Sequence, residues 1–330
     1  MDLSTTYLGL SLKNPLIPAA SPISRDLDTA KRLEDSGAAA LVMYSLFEEQ
    51  VRHEGQELDH FLDFGSESYA ESLNFLPEPD EFCNLEAQEY IKHLSSLKRS
   101  LDIPIIASLN GVSNGGWIRY AQRMEEAGAD AIELNIYYAP TEIDLTPQDL
   151  ERRYFEDLKT VKRSVKIPVS MKLGPFFTSF GNLAKRLSEE GADGLVLFNR
   201  FFGPDIDIEN LELLHTMKLS STFENRLPLR WMAILYGNVK ASLAASGGIH
   251  SALDVLKMVM AGADVTMMAS ALLRNGATHI ATVLNDMQQW MEENDYESIE
   301  QMKGSLSCRA VADPSDYGRT NYMRSLQSYL

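Results

Sequence analysis

The sequence predicts a single closed barrel of eight parallel strands, the TIM-type (β/α)8 fold, over residues 1–330. Three observations predict it: a helix-stop-strand phrase that occurs four times, two successive blocks of nearly equal length, and eight short apolar runs separated by helical patterns.

The phrase is an apolar helical stripe that ends at Gly-Ala, after which an apolar strand opens within a few residues. It is found at Glu34 to Met43, Glu125 to Leu134, Ser188 to Leu197 and Val259 to Met268. Gly37, Gly128, Gly191 and Gly262 would each supply the left-handed residue that stops a helix without a Cβ clash. Lys98-Arg-Ser-Leu-Asp-Ile-Pro104 and Lys162-Arg-Ser-Val-Lys-Ile-Pro168 each close a helix and open a strand, 64 residues apart. Gly128 and Gly191 are 63 apart, so two βαβα blocks repeat.

Strands are expected at Leu16 to Ala20, Ala40 to Tyr44, Ile105 to Leu109, Ala131 to Asn135, Val169 to Leu173, Gly194 to Phe198, Leu243 to Ser246 and Val265 to Met268. Several are apolar throughout, as strands covered on both faces must be. An open doubly wound sheet is the competing architecture, but no GxGxxG follows the first strand. Two intervals exceed simple loops. Phe47 to Tyr90 is acidic and aromatic, and Asn199 to Lys240 carries Phe201-Phe-Gly-Pro204 and a predicted helix around Leu211 to Leu219. In a barrel such insertions sit above the strand ends as lid or substrate wall.

The formal net charge of −17 argues against non-specific nucleic-acid binding, since a phosphate backbone would meet a repulsive average field. Met1 to Leu12 has no leader or transit pattern and no apolar run reaches membrane-spanning length, so the expectation is a cytoplasmic protein without membrane contact. Cys83 and Cys308 stand 225 positions apart with no CxxC, which points to two free thiols and to no sequence-local metal site.

Chemistry in this fold sits at the C-terminal tips of the strands. The polar residues there are Ser21 (in Ala19-Ala-Ser21), Ser45, Asn110, Asn135, Lys172, Asn199, Ser246-Gly-Gly248 and Ala269-Ser-Ala271. Gly247 and Gly248 would let backbone N–H groups approach an anion, and Ala269 and Ser270 would add the donors of a helix start near Leu272. Loops after strands seven and eight are the usual phosphate site of this barrel. The plainer reading is that Gly-Gly only turns the chain. Lys172 interrupts the apolar strand Val169-Ser-Met-Lys-Leu173, and an inward lysine needs an anionic or electron-rich partner to offset its desolvation. Alternatively it snorkels from the strand end. With three asparagines beside it, the pocket suits the edge of a flavin, where reduction builds negative charge.

Leu8-Gly-Leu-Ser-Leu-Lys-Asn-Pro-Leu-Ile-Pro-Ala-Ala-Ser21, Ile132-Glu-Leu-Asn135, Met171-Lys-Leu173 and Ala245-Ser-Gly-Gly-Ile249 together resemble the dihydroorotate dehydrogenase family of FMN-dependent barrels. The resemblance covers nearly the whole chain. It implies that Ala20 and Ser21 touch the isoalloxazine, that Ser45, Asn110, Asn135, Lys172 and Asn199 line it, and that Gly247, Gly248, Ala269 and Ser270 hold the phosphate, with Ser246 a further cofactor-binding candidate. Family members commonly form dimers and one branch adds an electron-transfer subunit, so a homodimer and an electron-transfer partner are implied companions.

Departures from the family fall in the substrate shell. Where relatives carry a lysine after the second strand this chain has Tyr44. Where they bring in a Cys or Ser base it has Tyr138. The pyrimidine-binding stretch corresponds to Ser72-Leu-Asn-Phe-Leu-Pro-Glu78, with Asn74 shifted and Glu78 where an amide is expected. Tyr44, Asn74, Asn135 and Asn199 are thus the candidate substrate residues, and Tyr138 and Lys172 the candidate catalytic ones. A phenol of ordinary pKa near ~10 is a poor base at neutral pH, and Tyr138 as a packing or lid residue is the alternative. Three functions compete: dihydroorotate oxidation in pyrimidine synthesis, flavin oxidoreduction of a less anionic substrate on the same fold, and a non-redox barrel that binds a phosphate ligand or a partner protein.

Overall fold

A hairpin opens the chain, with β1 (Thr5–Tyr7) antiparallel to β2 (Leu10–Leu12). Leu8 and Gly9 turn it at φ 54° and 75°. The computed structural model describes residues 1–48, 85–111, 114–138, 140–214 and 216–328, so Asn74, Glu78 and Cys83 lie outside the described residues.

Next come β3 (Leu16–Pro18), β4 (Leu41–Phe47), β5 (Ile105–Asn110), β6 (Ala131–Asn135), β7 (Val169–Leu173) and β8 (Gly194–Leu197). A short hairpin of β9 (Asp205–Asp207) and β10 (Glu212–Leu214) interrupts the series before β11 (Ser242–Ser246) and β12 (Val265–Met268). The eight-stranded sheet has the order β3-β12-β11-β8-β7-β6-β5-β4, every pair parallel. Its two ends are joined where Ala39 N–H donates to Leu16 O at 3.0 Å. Helices connect the strands on the outside, as expected of a (β/α)8 barrel.

The recurring phrase turns out to be a clamp between adjacent units. Asp130, Asp193 and Asp264 accept an N–H at the entry of the neighbouring strand, from Ile105 (2.6 Å), Val169 (2.7 Å) and Leu243 (2.7 Å). The same carboxylates hold Lys98 (2.6 Å), Lys162 (2.5 Å) and Lys303 (3.1 Å). The Lys-Arg-Ser echo and the Gly-Ala-Asp motif are therefore two halves of one contact. The first residue of the phrase works similarly: Glu34 Oε1 accepts from Asp102 and Ile103 N–H, and Glu125 Oε1 from Lys166 and Ile167 N–H, all within 3.1 Å. The aspartates pin the entry of the preceding strand and the glutamates the approach to a following one, which satisfies backbone donors that closure would otherwise strand.

Alternate residues of each strand point inward. Ile17, Val42, Ile106, Ala131, Val196, Ala244 and Val265 fill the barrel, and Tyr7, Leu8 and Leu12 of the hairpin pack onto them from the N-terminal end. Apolar filling thus dominates the lower layers, and the polar residues of the same inward rows fall toward the opposite mouth, beside Val196 and Met267.

Two expectations are corrected. The helix predicted around Leu211 to Leu219 is not formed: Leu211 sits at φ 56° and β10 follows it. Asp207 Oδ1 accepts from Glu209 and Asn210 N–H at 2.9 and 3.0 Å, an Asx turn that favours a hairpin over a helix. The second strand also runs past Tyr44 to Phe47, with a register shift against β5 between Val42 and Ser45. Such a bulge lets Tyr44 and Ser45, adjacent in sequence, face the same side.

All four helix stops carry positive φ, from 97° at Gly128 to 118° at Gly262. A Cβ at Gly191 would meet nothing within 4 Å, whereas one at Gly262 would lie 2.4 Å from the Tyr236 side chain. Gly191→Ala is therefore expected to cost about 1 kcal/mol of backbone strain and Gly262→Ala clearly more. Urea unfolding of the two variants checks the ranking.

Candidate functional site

At the C-terminal mouth the strand tips surround a cavity of about 830 Å3. Twelve of the residues expected from sequence line it: Ala20, Ser21, Tyr44, Ser45, Asn135 and Lys172 on one side, Asn199, Ser246, Gly247, Gly248, Ala269 and Ser270 on the other. Lys172 and the Ser246–Gly248 turn thus belong to one end of the sheet.

The floor is a chain of hydrogen bonds across β4, β5, β6 and β8. Asn199 Nδ2 donates to Asn135 Oδ1, Asn135 Nδ2 to Ser45 Oγ at 3.3 Å, and Ser45 Oγ shares a proton with Ser108 Oγ at 2.9 Å. The amides are oriented before any ligand arrives. Beside them Lys172 Nζ stands 3.4 Å from Glu133 Oε1, and both side chains are nearly or wholly buried.

At the other end Gly247 and Gly248 have φ 98° and 72°. A Cβ at Gly248 would come within 2.4 Å of Asn225 N, so only glycine lets the turn Thr222–Asn225 lie against it. A Cβ at Gly247 would project into open space. Ser270 Oγ accepts from Ser220 N–H at 3.0 Å, which leaves its own proton to donate, and Ser220 Oγ is tied to His250 Nε2 at 3.0 Å. Burial, reinforced by Arg274, holds His250 below its ordinary pKa. The Gly247–Gly248 turn and the Ser270 hydroxyl lie together on this wall, a combination suited to phosphate.

The charges agree. Among the described residues, Arg25, Lys172, Arg200 and Arg226 line the cavity against Glu224 alone, in a chain whose formal net charge is −17. An excess of cations inside an acidic protein focuses attraction for anions at this mouth. Arg25 lies 4.4 Å from the Tyr44 ring centroid. Burial raises the Tyr44 phenol, so its hydroxyl remains a donor at neutral pH.

Asn110 and Tyr138 do not line the cavity. Asn110 is buried at the end of β5. Tyr138 packs on Tyr154, with ring centroids 6.1 Å apart, and beneath Arg153, 5.7 Å from its centroid. Its ring is turned toward the helix Pro147–Ser164, the placement that the alternative of a packing or lid residue describes. Asn74 is outside the described residues. Conversely, Glu133, Arg25 and Ser220 were missed, while Phe201 of the expected wall does line the cavity, against Phe176 (5.3 Å). Only Glu133 had a signal, because the twofold period of Ala131-Ile-Glu-Leu-Asn135 places it on the inward row with Asn135.

The family profile described as Dihydroorotate dehydrogenase matches residues 2–291. The chain belongs to this family. Among its curated relatives is the dihydroorotate dehydrogenase B (NAD(+)) catalytic subunit of Methanocaldococcus jannaschii, 28% identical with 92% of this chain and 97% of the relative covered. Dihydroorotate dehydrogenase A (fumarate) of Lactobacillus delbrueckii subsp. bulgaricus is 26% identical over 90% of this chain and 96% of its own length. The dihydroorotate dehydrogenase B (NAD(+)) catalytic subunit of Thermoplasma volcanium is 27% identical over 92% and 98%.

Dihydroorotate dehydrogenases are flavoproteins, and the cavity fits such a group. Ser21 Oγ is buried in its wall with no hydrogen-bond partner among the described residues, a polar atom that a ligand would satisfy. The open space beside Gly247 and the Ser270 proton supply the anion end. Among the described residues no helix is long and apolar enough to cross a membrane, and no group of His, Cys, Asp and Glu could hold a metal ion. Gly248→Ala is expected to push the Asn225 turn away and to weaken flavin binding by about tenfold or more. Fluorescence titration with FMN, alongside circular dichroism to check folding, measures this.

Proposed function

We propose that this protein is a dihydroorotate dehydrogenase-type oxidoreductase that holds FMN at the barrel mouth and oxidises dihydroorotate to orotate. The observation that carries the reading is the joint placement of Lys172, Asn135 and Asn199 with the Ser246–Gly248 turn around one cation-rich cavity, in a chain of this family. Bound FMN would accept the hydride from the CH–CH bond. Ser246, Gly247, Gly248, Ala269 and Ser270 would hold its phosphate, and Ala20, Ser21, Ser45 and Lys172 would border its ring. Lys172 offsets negative charge that builds on that side of the cavity, at a dry position where a cation acts strongly. Asn135 and Asn199 present pre-oriented amides to the substrate.

In the family the proton leaving the substrate goes to a loop residue that corresponds to Tyr138. A general base contributes ~10^2 to 10^4 in rate, whereas a packing residue contributes far less. With its ring against Tyr154, Tyr138→Phe is expected to change kcat by less than about tenfold. Steady-state turnover of dihydroorotate measures it, and a loss of a hundredfold would restore Tyr138 as the base.

The second reading, a flavin enzyme with a different substrate, is favoured by Tyr44 in the place of the family lysine, although Arg25 brings a cation to that spot. One experiment separates the readings. The purified protein should be yellow, release FMN on denaturation, show a flavin spectrum perturbed by orotate, and bleach anaerobically with dihydroorotate. A flavin spectrum indifferent to both ligands supports the second reading, and a colourless protein that does not take up FMN supports a non-redox barrel. A second copy of the chain and an electron-transfer subunit are the companions that the resemblance suggests, and sedimentation with co-purification tests for them.

A further inference from the structure

Glu133, at the middle of β6, has no exposed surface, and its Oε2 has no hydrogen-bond partner among the described residues. Its Oε1 faces Lys172 Nζ at 3.4 Å. A buried charge is costly unless an opposite charge offsets it, and a pair this dry depends on both members. The inward neighbours offer no substitute. Ser108 and Ser170 stand in register with Glu133, and Asn135 and Val196 with Lys172. The titratable groups that feel Glu133 are the phenols of Tyr7, from the N-terminal hairpin, and Tyr90, from the helix Leu85–Ser100. Burial pushes both upward, and the Glu133 charge adds to it. Arg25, Arg200, Glu224 and Arg226 share the cavity, but on more exposed parts of its wall.

We propose that Glu133 is a positioning residue: its carboxylate, inside the barrel, is the counter-ion that holds Lys172 Nζ at the cavity whether or not a ligand is bound. The redox reading above supplies only the use of that charge; the pair itself can be tested without it.

The test is urea unfolding of the protein as purified, wild type against Glu133→Gln, Lys172→Met and the double variant, at about pH 7 and about pH 9.5, below the ~10.4 of a solvated lysine. In Glu133→Gln an ammonium is left without its counter-ion. The folded state then gives up the Lys172 proton at lower pH than the unfolded state does, so unfolding takes up a proton and stability rises with pH. The midpoint should fall below wild type at the lower pH, and the gap should shrink by about half or more at the higher one. In the Lys172→Met background the same substitution removes an uncompensated carboxylate and should raise the midpoint. A loss of equal size at both pH values and in both backgrounds would overturn the proposal, because a packing role predicts it. If Glu133→Gln does not fold, the comparison of Lys172→Met with the double variant decides: a higher midpoint in the double variant supports the proposal, and an equal or lower one overturns it.

A second arm measures FMN dissociation. The Glu133→Gln value should move toward that of Lys172→Met as pH rises, while wild type does not. Should wild type bind no FMN, the redox reading fails and the unfolding cycle still decides the role of Glu133.

Discussion

Closing eight parallel strands into one ring forces every second side chain of each strand into a shared interior that water does not reach. Such an interior tolerates polar groups only where they find partners or where the barrel opens. Here the lower layers hold Ile17, Val42, Ile106 and Val265 beneath Tyr7 and Leu8, while the inward rows of β5, β6 and β7 become polar as they climb, through Ser108, Glu133, Ser170 and Lys172. The functional mouth is the continuation of that gradient. Its amides and ammonium are held by ladders that the Asp130, Asp193 and Asp264 clamps tie at their entry.

The mouth joins two kinds of recognition in one cavity. On one side side chains do the work, with Asn199, Asn135, Ser45 and Ser108 linked in series and Lys172 backed by Glu133. On the other side the wall is backbone, because Gly247 leaves open space beside it and Gly248 lets the Thr222–Asn225 turn close against it. Oriented dipoles on both sides cost little reorganisation when charge arrives, which is the condition for electrostatic stabilisation of a reaction. Among the described residues Arg25, Arg200 and Arg226 outnumber Glu224 on the wall, a local excess of cations in an acidic protein that favours anions.

Much of this was legible in the chain. The Gly-Ala-Asp phrase carries its own geometry, since a left-handed stop and a short link leave room for little but a strand, and so the barrel and the level of its strand tips could be read. Lys172 announced a buried partner by interrupting an apolar strand. That partner, Glu133, shares the inward row of Asn135 but passes unnoticed until strand register is known. Three features were not read from the pattern, the first for a local reason and the other two because they depend on contacts distant in sequence. The β9–β10 hairpin follows from an Asx turn at Asp207, the double exposure of Tyr44 and Ser45 from a bulge, and the direction of the Tyr138 ring from Tyr154 and Arg153 on a later helix. Alignment gives the position of such a residue in the chain, not where its side chain points.

The measurement that bears most directly on the mouth as a phosphate-gripping flavin site is a titration of the apoprotein with FMN followed by backbone 15N–1H correlation. The amides of Gly247, Gly248 and Ser270 should shift first and furthest, saturating with the flavin fluorescence change. Shifts confined to the N-terminal end of the barrel, or saturation with those three amides unmoved, would contradict it.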